Sequence, residues 1–163
     1  MNSLKKINQV CYRVCKKIGS FFLFLLIVII TSGIVARKGF KSPLIWTEEL
    51  STFLFIWVAF LGAVSATYEK RHIAVDFLIK KFPQLLQDIV KVITYVLILM
   101  FQVLLVFGAL KLIPMMLHVS VALRIPKYLY YMAICVASAT MFLMYLDELI
   151  DYVKGMRIKG EVA

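Results

Sequence analysis

Four times along the chain the charged residues stop. Segments 18–36, 50–68, 92–110 and 128–146 each run nineteen residues without Asp, Glu, Lys, Arg or His. At a rise of about 1.5 Å per residue each would reach about 28 Å, close to the ~30 Å hydrocarbon thickness of a bilayer. The pattern predicts four transmembrane helices. Before the first of them, Leu4, Ile7, Val10, Cys11, Val14 and Ile18 recur at helical spacing with cations between. That reads as an amphipathic helix over 4–17, lying on the membrane surface before the chain turns into the bilayer. A second interfacial helix is expected over 72–82, where Ile73, Ala74, Phe77 and Leu78 share a face. Gly39 and Pro43 punctuate the first connection, where "PLIW" is expected to rest at the interface. Pro83 suits the first turn of the third helix, and Pro114 and Pro126 interrupt the connection after it. The last helix is expected to continue past its span and end near Gly155. The fold class is therefore an all-α membrane protein with short amphipathic helices, forming a single membrane domain over 1–163.

Composition supports this and charge orients it. Of 163 residues 63% are hydrophobic and 17% charged, with mean hydropathy +0.91, against about a quarter charged in soluble domains. The first span is longer than a secretory signal's apolar region and exits through "IVARKGFK", a poor cleavage site, so it reads as a retained anchor. With the N-terminus inside, thirteen Lys or Arg fall on the cytoplasmic side: Lys5, Lys6, Arg13, Lys16, Lys17, Lys70, Arg71, Lys80, Lys81, Lys91, Lys154, Arg157 and Lys159. Six fall outside: Arg37, Lys38, Lys41, Lys111, Arg124 and Lys127. The positive-inside rule then puts both termini in the cytoplasm. Inner-face cations also attract membrane phospholipids, which accounts for the net +10 without nucleic acid. Cys11, Cys15 and Cys135 read as small apolar residues.

The chemistry of the spans is an absence. Chains that move ions or substrates alone place ionisable groups within the bilayer, and none stands in these spans. No HExxH, GxSxG, phosphate loop or metal-ligand cluster occurs, and His72 and His118 stand apart. The chain is expected to be no enzyme, with no cofactor, catalytic residue or substrate site. Small residues recur instead: Ala59, Gly62, Ala63 and Ala66 on the second helix, Ala133, Ala137 and Thr140 on the fourth. In lipid, helices associate through close approach at such residues, either within the bundle or against another subunit. Trp57 lies too deep for the interfacial belt, and faces either lipid or a partner's groove. At the threshold of the second span stand Glu48 and Glu49 beside Trp46. Thr47 is placed to cap that helix, with the two carboxylates in its positive first turn. Capping explains why they are tolerated, not why there are two.

The run from Trp46, "WTEEL", with "FIWVAFLGAVSA" after it, "HIAVD" from His72 to Asp76, and "SVALRIPK" from Ser120 to Lys127 before an aromatic-rich helix, resembles the small (Q-type) membrane subunit of tripartite ATP-independent periplasmic (TRAP) transporters. The resemblance covers roughly residues 18–150. It implies a non-catalytic subunit of the bacterial inner membrane, in a 1:1 heterodimer with a large elevator subunit. That larger chain would bind sodium and an organic acid delivered by a periplasmic substrate-binding protein. It implies a large-subunit interface at Trp46, Glu48, Glu49, Trp57, Ala59, Gly62, Ala63 and Ala66. For the binding protein it implies docking at Arg37, Lys38, Lys41, Arg124 and Lys127. Against it stand an autonomous four-span exporter or structural membrane protein acting as a homo-oligomer, and a quinone-linked thiol oxidase. The exporter lacks its buried carboxylate and the oxidase its paired outer cysteines.

Overall fold

The computed structural model describes residues 2–39, 44–69, 84–116, 119–120 and 122–161. Four long helices carry the fold: α1 (Asn2–Gly39), α2 (Ile45–Tyr68), α3 (Gln84–Leu112) and α4 (Tyr128–Glu161). A short 3₁₀ turn, Ile113–Met116, follows α3 and contains Pro114. All four helices are long and apolar enough to cross a membrane. The expected 72–82 helix, Pro83, Lys41, His72 and His118 lie outside the described residues.

The helices stand as a row rather than a closed square. α1 packs on α2, α2 on α4, and α4 on α3, with a lesser contact from α1 to α4. Burial follows that order: 33% of the most hydropathic window of α4 is buried and 22% of that of α2, against 11% for α1 and 6% for α3. The main core gathers Cys15, Leu61, Val64, Ala137, Met141, Met144 and Tyr145 around the α2–α4 seam. A second cluster, Leu26, Ile29 and Leu54, joins α1 to α2.

Two glycines set how closely α1 and α2 approach. A Cβ at Gly19 would lie 3.3 Å from Leu61 Cβ, and one at Gly33 would lie 3.0 Å from Thr47 Oγ1. Those contacts run in opposite order along the two helices, so α1 and α2 are antiparallel. α4 runs parallel to α2, since Phe53 meets Tyr130 edge-on at 5.2 Å while deeper α2 and α4 residues share the main core. Ala133 and Ala137, 2% and 1% exposed, are the small residues that the fourth helix spends on packing within the row.

Four expectations need correction. Asn2–Gly39 is one unbroken helix, so the amphipathic stretch does not turn away from the first span. Its apolar stripe stays uncovered, with Ile7 50% and Val10 58% exposed, while Asn8 and Cys15 occupy the buried side. Second, α2 begins at Ile45, so Ile45 and Trp46 belong to its first turn rather than to a separate connecting segment. Third, Thr47 is therefore not its cap. Leu44 takes the cap position without a side-chain bond, and the Thr47 hydroxyl and amide both donate to the Leu44 carbonyl, at 2.6 and 3.1 Å. Fourth, α4 extends to Glu161 rather than stopping near Gly155. Gly155 has a helix cost of about 1 kcal/mol, too small to end a helix alone.

Candidate functional site

Polar side chains collect at the two ends of the row. At the N-terminal end of α1 they join helices. Lys5 pairs with Asp151 at 2.5 Å, and the Asn8 amide donates to Asp147 at 3.2 Å. Glu69 accepts from the Tyr12 hydroxyl at 2.6 Å and from Lys16 at 2.7 Å, while the Tyr12 and Tyr68 rings stack at 4.3 Å. On the other side of α4, the Tyr152 hydroxyl donates to Asp88 at 2.5 Å, with Lys91 over its ring. Each long-range bond fixes one helix against another where the apolar spans end.

The opposite end holds the two glutamates, and the structure separates them. Glu48 faces outward and pairs with Arg37 of α1, the two side chains 67% and 63% exposed. Glu49 turns toward the connection before α4. Its carboxylate accepts the Ala122 amide at 3.0 and 3.1 Å and the Leu123 amide at 2.9 Å. The Glu49 carbonyl lies 3.4 Å from the Tyr130 hydroxyl, which donates to it. Two successive amides converging on one carboxylate form an anion nest, here filled by the chain's own side chain. The connection is closed on itself as well. Val119 bridges Pro126, and the Ser120 amide donates to the Ile125 carbonyl at 2.9 Å. The Ile125 amide donates to Ser120 Oγ at 3.0 Å. Arg124, at φ 52°, is the one non-glycine residue in left-handed backbone among those described.

The other expected site residues divide by exposure. Arg37, Lys38, Arg124 and Lys127 are exposed, and Trp46 is 39% exposed. Trp57 is half-buried, packed by Phe22 and Phe53 with its indole nitrogen turned into the protein. Part of its ring therefore serves this chain's own core. Ala63 and Ala66 are half-buried, with Ala63 against the main core. Ala59 and Gly62 are exposed, and a Cβ on Gly62 would meet none of the described residues within 4 Å. Sequence reasoning did not find the Glu49 nest or the polar interior of the spans. Gln102 and Ser138 are buried, Gln102 donating weakly to Met141 Sδ at 4.0 Å. Among the described residues no three His, Cys, Asp or Glu side chains gather as metal ligands.

A family model described as the DctQ component of tripartite ATP-independent periplasmic transporters matches residues 26–155. The chain belongs to this family. Over 87 residues it is 41% identical to a TRAP transporter small permease protein from Haemophilus influenzae, covering 53% of this chain and 54% of that one. It is 31% identical over 125 residues to the isethionate TRAP transporter permease protein DctMQ of Oleidesulfovibrio alaskensis, covering 75% of this chain and 20% of the relative. A match of 38% over 66 residues to the sialic acid TRAP transporter permease protein SiaT of H. influenzae covers 40% and 11%. The matches thus span about half of the first relative and much less of the other two. The chain is a multi-pass membrane protein of the TRAP small permease type.

Proposed function

We propose that this chain is the non-catalytic small subunit of a TRAP transporter in a bacterial inner membrane, with both termini cytoplasmic. It pairs one-to-one with a large membrane subunit and enlarges that subunit's static scaffold. It also helps receive a periplasmic substrate-binding protein during sodium-coupled import of an organic acid. The observation that carries this reading is the uncovered small-residue face of α2 at Ala59 and Gly62. The row itself makes no use of that closeness, whereas Ala133 and Ala137 on α4 are spent internally. A helix of another subunit could approach there to van der Waals contact.

The relatives support the same partner. The matched region is a fifth of DctMQ and about a ninth of SiaT, so there it belongs to a much longer permease chain. The same association is the one proposed for this chain. Those two relatives carry different solute names, isethionate and sialic acid, which suits a subunit that does not select the solute. Trp46 and Glu48 would lie at the edge of the large-subunit interface. Arg37, Lys38, Lys41, Arg124 and Lys127 would form the basic periplasmic face toward the binding protein.

The test is purification of the chain from its native membranes in mild detergent, with mass spectrometry of the intact complex. An equimolar complex with a larger polytopic protein, lost when Gly62 is replaced by leucine, is the expected result. A lone chain or homodimer across several mild detergents would overturn the reading.

A further inference from the structure

The nest at Glu49 holds the one described connection that presents a strained cation. Arginine gains nothing from left-handed backbone, which costs an L residue with a Cβ roughly 1–2 kcal/mol and is ordinarily left to Gly or Asn. At φ 52° Arg124 bears that strain while its side chain is exposed. A residue type chosen against its backbone preference points to a use for the side chain. The backbone around it is closed by the paired Ser120–Ile125 bonds. It is tied to α2 by the two amides that converge on Glu49. Such charge-assisted bonds are roughly twice as strong as neutral ones. The same end carries Lys127, exposed beside the start of α4.

We propose that Glu49 is a positioning residue. It does not meet the incoming protein; it fixes the Ser120–Ile125 connection so that Arg124 is held ready for an acidic group on the binding protein. The inference rests on the docking role given above and adds to it a division of labour between the glutamates. Glu49 builds the docking face from within, while Glu48 pairs with Arg37 on the exposed side of α2. Preordering matters because a flexible cation must lose its freedom on contact, and that loss weakens the encounter.

The experiment uses the membrane complex reconstituted in liposomes, with uptake measured against binding-protein concentration. Arg124→Gln, Glu49→Gln, Glu49→Ala and the Glu49→Ala/Arg124→Gln double variant are compared, and each complex is first shown to assemble. Amide exchange across 122–123 reports whether the nest has opened. The expected result is that Glu49→Ala speeds that exchange. Glu49→Ala and Arg124→Gln should each raise the half-maximal binding-protein concentration by roughly two- to fivefold, the scale of one exposed charge pair. Maximal uptake should be unchanged. Glu49→Gln, which keeps one acceptor oxygen, should fall between, and the double variant should be no worse than Arg124→Gln alone.

Additive effects, or faster exchange with no change in half-maximal concentration, would overturn the positioning role and leave docking at Arg124 standing. A silent Arg124→Gln would remove the docking role at this loop, and the positioning role with it.

Discussion

Replacing Gly33 by alanine should destabilise the protein, and the same replacement should stabilise it once Thr47 has become alanine. A Cβ at residue 33 would stand 3.0 Å from Thr47 Oγ1 and 3.4 Å from Thr47 Cβ. The hydroxyl cannot swing aside freely, because it donates to the Leu44 carbonyl at 2.6 Å at the very start of α2. Either that bond breaks or α1 and α2 move apart at their crossing. Overpacking of this kind costs about 1–3 kcal/mol, against a gain of about 1 kcal/mol for removing glycine from a helix interior. The net is a loss of about 0–2 kcal/mol. In the Thr47→Ala background the close oxygen is gone, the remaining contact is ordinary, and Gly33→Ala should gain about 1 kcal/mol. The coupling between the two positions is then about 1–3 kcal/mol, within the range of a double-mutant cycle for residues in contact. Reversible SDS titration, followed by the fluorescence of Trp46 and Trp57, both on α2, measures each corner of the cycle. An equal effect of Gly33→Ala in both backgrounds would show that the glycine is not there to admit Thr47.

Other substitutions separate the parts of the row. Ala137→Leu, at a position 1% exposed, should cost about 1–3 kcal/mol in the same titration. Gly62→Leu should leave the isolated chain at least as stable, since no described residue lies within 4 Å of a Cβ there, while lowering the yield of complex with the proposed larger subunit in co-purification. Glu48→Gln should change the stability of the isolated chain by no more than about 1 kcal/mol, as expected of an exposed pair. Lys16→Met removes one of the described donors to Glu69, whose side chain is only 22% exposed. It should cost about 1 kcal/mol, because a charge-assisted bond to a half-buried carboxylate is lost.

Helix number and family were legible because both rest on local signals. Charge-free runs of bilayer length mark spans irrespective of tertiary contacts, and "WTEEL" and "SVALRIPK" are contiguous stretches. What escaped depends on distant residues. A Thr before two glutamates has the local signature of a cap, but α2 gains three residues upstream because Leu44 supplies an extended turn and its carbonyl. Glu49 meets amides 73 and 74 positions away, a pairing that no spacing rule reaches. Arg124 carried no sign of left-handed backbone either, since the usual Gly or Asn is absent and Pro126 marks only the residue before it as extended. The small residues of α2 and α4 look alike in sequence. Only the order of the row shows Ala133 and Ala137 consumed inside it and Ala59 and Gly62 left outside.

That difference decides how the uncovered surface should be weighed. α3 leaves Ile93, Leu97, Phe101, Leu104 and Phe107 more than half exposed, and α1 does the same with Phe21 and Phe24. In water so much apolar surface would demand a partner, but lipid chains are as apolar as leucine and satisfy it without one. Large exposed side chains on these helices are therefore no argument for another subunit. A small side chain is different. At a lipid-facing position leucine would serve the bilayer as well as glycine and the helix better, so Gly62 and its neighbour Ala59 have a physical rationale chiefly where a second backbone must come close. The surface that speaks for a partner is thus the least bulky one, and Gly62→Leu is the substitution that puts the two explanations in conflict.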